Sequence, residues 1–203
     1  MKLWPIALAL FAGGIAAGAT QLPDSVQNVL TLIDAVPTQL QLDNAFTDHE
    51  AAAQGLTAIA SDPGAEPNAR LHAISALAKY CVTSPCVDAD PAHRALVQII
   101  RDNTQTATGT NAIMLRAAIE ALGPQRAEPP LAPMLSDLDL LLNELANNTS
   151  RDIRTAVAHS LRDLCNTQAI APLRQQQQTE PSEQVKQAIT EALRVLGQGS
   201  PCQ

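Results

Sequence analysis

Apolar side chains return every three or four residues along most of this chain, and Pro, Gly and short polar stretches interrupt them at helix-length intervals. The spacing predicts helices over Asp24–Asp34, Thr47–Ala60, Asn68–Tyr80, Pro91–Asp102, Asn111–Leu122, Leu131–Ala146, Arg151–Leu164, Thr167–Gln176 and Pro181–Leu196. Each has a physical stop beside it: Pro37, Asp62-Pro63-Gly64, Gly123-Pro124, Pro129-Pro130, the polar run Asn147–Ser150 and Gly197. Thr47 or Asp48 is placed to cap the second of these helices, and Pro91 suits a first helical position. No stretch alternates with the two-residue period of a half-buried strand, so the fold class expected is all-α.

The pattern also repeats on a longer scale. Ile153-Arg154, Val157, Ser160-Leu161 and Leu164 are matched by Val185-Lys186, Ile189, Ala192-Leu193 and Leu196. Ala69-Arg70, Ala73, Ala76-Leu77 and Tyr80 form another copy, and Met114-Leu115, Ala118 and Ala121-Leu122 a weaker one with Arg116 one place late. Corresponding positions lie 45, 39 and 32 residues apart, the range in which one repeat is one helix pair. Within each copy the apolar positions share one helical stripe. A single pair cannot cover such a stripe, whereas stacked pairs share one extended core.

Asp62-Pro63 followed by Asn68-Ala69-Arg70 and Ala76-Leu77 resembles the HEAT-repeat signature, and Glu180-Pro181, Val185-Lys186 and Ala192-Leu193 are similar with Glu for Asp. Asp152-Ile153-Arg154 and Ser160-Leu161 match its helix without the Asp-Pro turn. The resemblance, which extends to the bilin-lyase-like subgroup at the level of fold, covers about residues 47–197. It implies a right-handed α-α superhelix, or solenoid, of about four helix pairs, with the helix at Asp24–Asp34 ahead of them. By the same resemblance Asp62, Arg70, Arg154 and Lys186 are candidates for bonds between neighbouring repeats, with solvated surface charges as the alternative. It also implies that second helices line a concave side. The exposed positions expected there are His72, Ser75, Lys79, Arg116, Glu120, Thr155, His159, Arg162, Gln187, Glu191 and Arg194, a mixed-charge set without Trp or Tyr anchors.

Composition adds a destination. Met1-Lys2, the apolar run Leu3–Ala12 and the pattern Ala17-Gly18-Ala19 read as a secretory signal peptide over residues 1–19, with an uncleaved anchor as the alternative. Residues 20–203 then form a single repeat domain without a further membrane span, exported to a periplasmic or extracellular space. Losing Lys2 takes the net charge from −7 to −8. Clustered Lys and Arg are missing, and Phe46 and Tyr80 are the aromatics left, so nucleic acid is excluded as a partner. Cys81, Cys86, Cys165 and Cys202 give an even count with three possible pairings. In a stack built in chain order, Cys81 lies too far from Cys165 to be bridged. Cys165 and Cys202 fall at the same ends of neighbouring helices. The pairings expected are therefore Cys81–Cys86 and Cys165–Cys202, the second tying down the tail 198–203.

Candidate chemistry is sparse. His49, His72, His93 and His159 are scattered over different pairs, and no His or Cys pair has metal-ligand spacing. His49-Glu50 resembles the His-Glu dyads of the deoxyhypusine hydroxylases, HEAT-like iron enzymes, but that family needs several facing dyads. Asp137 and Asp139 point to different sides of a helix and read as solvated surface. No Gly-x-Ser-x-Gly elbow, phosphate-cradling loop or haem-attachment motif is present. Gln175–Gln178 reads as a polar helix end, and Asn147–Ser150 holds two overlapping sequons. The function expected is a non-catalytic, cofactor-free scaffold that binds protein partners. The other classes weighed are a HEAT-like lyase or metal-dependent hydroxylase, and a purely structural envelope component.

Overall fold

The computed structural model describes residues 23–31, 37–80, 90–104, 108–123 and 135–198. Ten α-helices run through them: α1 Asp24–Leu30, α2 Gln39–Phe46, α3 His49–Ser61, α4 Pro67–Ala76, α5 Pro91–Asn103, α6 Gly109–Leu122, α7 Leu135–Asn147, α8 Arg151–Asp163, α9 Ile170–Thr179 and α10 Glu183–Gly197. Short 3-10 turns at Leu77–Lys79 and Thr167–Ala169 extend α4 and lead into α9. Among the described residues there is no strand, and no helix is long and apolar enough to cross a membrane. Residues 1–19, Cys81, Cys86 and Cys202 lie outside the described residues, as does the tail beyond Gln198.

The helices pair as α3/α4, α5/α6, α7/α8 and α9/α10, and the second helices stack in chain order, α4 on α6 on α8 on α10. Small side chains permit this. Ala117, Ala118 and Ala121 on α6, Ala156 and Ser160 on α8, and Ala188 and Ala192 on α10 are all buried. Gly123 ends α6 so close to α8 that a Cβ there would sit 3.0–3.1 Å from the side chain and backbone of Ser160. The first helices keep more distance beyond the first two pairs: α3 packs on α5, but α7 meets both α5 and α9 only marginally at backbone range. From the second pair onward, close spacing on one row and wide spacing on the other makes the pairs wedges, which bends the stack toward the second helices.

The N-terminal end departs from expectation. Gln39–Phe46 is a helix that the apolar spacing does not reveal, begun by a reciprocal capping box between Thr38 and Gln41. Helices α1 and α2 close the stack in reversed order, α1 against α4 and α2 against α3. The Phe46 ring lies where a methyl group on Gly55 would be, so α3 needs Gly there. Thr47, between α2 and α3, takes φ 83°, unusual for a β-branched residue. At the other end the last pair exposes the polar side chains of Arg174, Gln175, Gln178 and Gln184, with Gln177 donating to Thr190 at 2.8 Å.

Buried polar links stitch the later pairs together. Arg154, on α8, donates from Nε and Nη2 to the Glu180 carboxylate at 2.9 and 2.7 Å, and from Nη1 to the carbonyls of Asn148 and Thr149. Glu180, in the turn before α10, is 2% exposed. This is the inter-repeat bond expected of Arg154. The other three candidates behave differently: Arg70 donates to Ala60 in its own pair, Asp62 accepts from Gly64 in its own turn, and Lys186 pairs with Glu183 on its own helix. Burial alone would raise the Glu180 carboxyl pKa. Hydrogen bonds from Arg154, the Ser182 backbone and Gln176 outweigh it and hold the group below the usual carboxylate range.

A depressed carboxylate contributes stability that is present above its unfolded pKa and lost as pH falls through the folded value. Thermal or denaturant unfolding should therefore show wild-type stability declining below about pH 4.3, the ordinary Glu value. Glu180→Ala should cost about 3–5 kcal/mol at neutral pH and make that acid decline shallower. At the closest helix crossing, Gly123→Ala should cost about 1–3 kcal/mol by overpacking. Ser160→Ala, which removes a buried hydroxyl without a hydrogen-bond partner among the described residues, should be neutral or stabilising. Denaturant titration of both variants checks the contrast.

Candidate interaction face and buried polar pairs

Three helices of the second row carry charged side chains outward at matching heights. Arg116 and Glu120 pair at 2.7 Å on α6, Arg162 and Asp163 at 2.7 Å on α8, and Glu191 and Arg194 at 2.7 Å on α10. These pairs also act on one another. Asp152 on α8 helps to raise Arg116, after Glu120 itself. Glu191 helps to raise Arg162, where Asp163 has the larger effect. The Glu191 carboxyl is lowered first by its hydrogen bond from Arg194, then by Arg162 and His159 across the α8–α10 boundary. Arg116, Glu120, Thr155, His159, Arg162, Gln187, Glu191 and Arg194 are thus brought to one surface, each exposed or half-exposed. Ile113, 53% exposed one turn before Arg116, gives α6 an apolar spot near its N-terminal end.

The first pair corrects the expected face. His72 is buried, and its Nδ1 donates to the Leu30 carbonyl of α1 at 2.8 Å. The reason is register. The 45-residue interval carries Arg116 and Glu120 back to Leu71 and Ser75, and puts His72 at the position of Ala117, Ala156 and Ala188, which face the neighbouring second helix. Helix α1 takes the neighbour's place, and the imidazole fills the space. Ser75 is half-buried, and Lys79 is exposed in the 3-10 turn beyond α4.

Two polar clusters go beyond what the sequence predicts. Tyr80 is fully buried, and its hydroxyl donates to Asp43 at 2.8 Å and lies 3.1 Å from the Gln39 carbonyl. His49 stacks on the Tyr80 ring at 4.8 Å between centroids, with its Nδ1 3.4 Å from Asp43. Glu50, the other half of the His-Glu dyad, turns away to Gln54. The second cluster joins α5 to α7. His93 Nε2 donates to both oxygens of Asp137 at 3.0 and 3.1 Å, the pair being almost wholly buried. At the other end of the same helices Thr104 donates to Glu144 at 2.8 Å, and Asn148 donates to the second Glu144 oxygen at 3.0 Å.

Asp137 is therefore not solvated surface. Together with Glu144 it flanks the stripe Leu138, Leu141 and Leu145, and positions 137, 141, 144 and 148 share one helix face. That spacing is the signal in the sequence that marks them as interior. Asn148 is buried too, so one of the two overlapping sequons is engaged in the fold while Asn147 is exposed. Among the described residues no three His, Cys, Asp or Glu side chains gather to hold a metal ion. Cys165 is disulfide-bonded and sits at φ 54°, a left-handed conformation usually left to Gly.

The family model for HEAT repeats matches residues 94–194, the second, third and fourth pairs, and supports a HEAT-like repeat protein. No curated protein and no solved structure gives a match.

Burial pushes the Tyr80 hydroxyl upward, reinforced by its bond to Asp43 and the negative charge there. A raised acid contributes stability below its unfolded pKa of about 10 and loses it as pH rises through the folded value. Tyr80 is the one tyrosine of the chain. Tyrosinate absorbance should therefore stay flat through pH 10 and rise only with unfolding, and Tyr80→Phe should lower stability by about 1–2 kcal/mol.

Proposed function

We propose that this stack of HEAT-like pairs is a non-catalytic protein-binding or scaffolding module that meets its partner on the second-helix face. HEAT repeats commonly mediate protein interactions. The observation that carries the reading is the open row of charged side chains on α6, α8 and α10, close enough in space to shift one another's ionisation. Since Arg116, Arg162 and Arg194 each have an acid beside them, the row projects little net field. Recognition there rests on shape and on exchange of hydrogen bonds more than on long-range steering. Ile113 supplies an apolar contact beside the charges.

The reading includes export to a periplasmic or extracellular space. Its support is the leader-like pattern over Met1–Ala19 and the oxidised state of Cys165, with Cys81–Cys86 and Cys165–Cys202 as the proposed pairings. Peptide mapping without reduction tests the pairings, and a bridge joining Cys81 to Cys165 would overturn them.

A photo-crosslinking residue introduced at Arg116, Thr155 or Gln187 should capture a partner in the native compartment. The same residue at Gln98 or Asn143, exposed on the first-helix row, should capture little. Equal capture from both rows, or capture from the first row alone, would remove the second-helix face from the proposal.

A further inference from the structure

We propose that the boundary between the second and third pairs is a bending joint, with its pivot in the second-helix row and two polar latches in the first. The pivot is the α6–α8 crossing, where Gly123 meets the Ser160 backbone and Ala117, Ala118 and Ala156 are buried between the helices. Opposite it, α5 and α7 meet at most marginally at backbone range. Among the described residues His93–Asp137 joins them at one end and Thr104–Glu144 at the other. Val97, Leu140 and Leu142, the half-exposed apolar residues of these helices, rest on the core.

The neighbouring boundaries are built otherwise. Between the first and second pairs both rows pack at backbone range, α3 on α5 and α4 on α6, so neither side opens without uncovering a helix face. Between the third and fourth pairs α8 and α10 pack most extensively, and the buried two-pronged Arg154–Glu180 bond fixes the turn of the last pair to α8. Opening either boundary exposes apolar surface or strands a buried charge. Opening the α5–α7 side breaks short polar pairs whose groups water can satisfy, while the pivot stays covered. Rotation about such a pivot is a hinge, and its direction changes the curvature of the second-helix face. The joint follows from the packing alone and stands independently of what that face binds.

Distances between spin labels test it in the folded chain. Labels carried by non-natural residues at Gln98 and Asn143 report on α5–α7, at Gln54 and Gln98 on α3–α5, and at Arg116 and Thr155 on the pivot. The α5–α7 distribution should be broader than the α3–α5 one in the wild type. In Thr104→Val/Asp137→Asn it should shift to longer distance while the pivot pair stays in place. Thr104→Val is near-isosteric and Asp137→Asn keeps an acceptor for His93, and circular dichroism confirms retained helix. Should the double variant lose helix, Thr104→Val alone releases one latch and must show the same shift. An α5–α7 distribution as narrow as that of α3–α5, no shift on releasing the latches, or an equal shift at the pivot would overturn the joint.

Discussion

The structure depends on how closely its second helices approach. An Ala, Ser or Gly at each crossing lets backbones meet where a larger side chain would hold them apart, and the dispersion attraction between them is that of a tightly packed interior. Once that row is set, the apolar stripes of Leu, Ile and Val fall into one continuous core from Val26 to Leu196. The first helices match that spacing only between α3 and α5, and α7 meets its neighbours in that row only marginally.

Long side chains span the wider row at its polar positions. His93–Asp137 and Thr104–Glu144 reach across from α5 to α7, and Arg154–Glu180 ties a second helix to the following turn. Two of these links, His93–Asp137 and Arg154–Glu180, are almost wholly buried, so they are directional and costly to leave half-made, whereas Thr104 is only half-buried. The outward charges on α6, α8 and α10 are of another kind. Exposed and paired along their own helices, they add little to stability and leave that surface free to meet other molecules.

Much of this is legible in the chain. The pairs from Thr47 onward and their order follow from periodicity and from the repeated stripe, and the resemblance to HEAT repeats makes Arg154 one of four candidates for a link between pairs. What escapes has specific causes. Gln39–Phe46 is too short and too polar to show an apolar period, although its Thr38–Gln41 box announces it. The expected place of His72 is one step out of register because the weakest copy of the repeat blurs the comparison with Arg116. Charge makes Asp137 look like surface, and it hides a position that the Leu stripe beside it marks as interior. Tyr80 and Asp43 stand 37 residues apart, and only the reversed packing of α1 and α2 brings them together.

The amide-rich surface of α9 and α10 has a consequence for how long such a molecule can grow. A further hairpin stacked there would have to bury exposed amides such as those of Gln178 and Gln184, which costs free energy unless each finds a partner, so that surface resists extension. Two copies of the chain face the same obstacle if they meet through that surface, which guards against the head-to-tail filaments that open-ended arrays are prone to form.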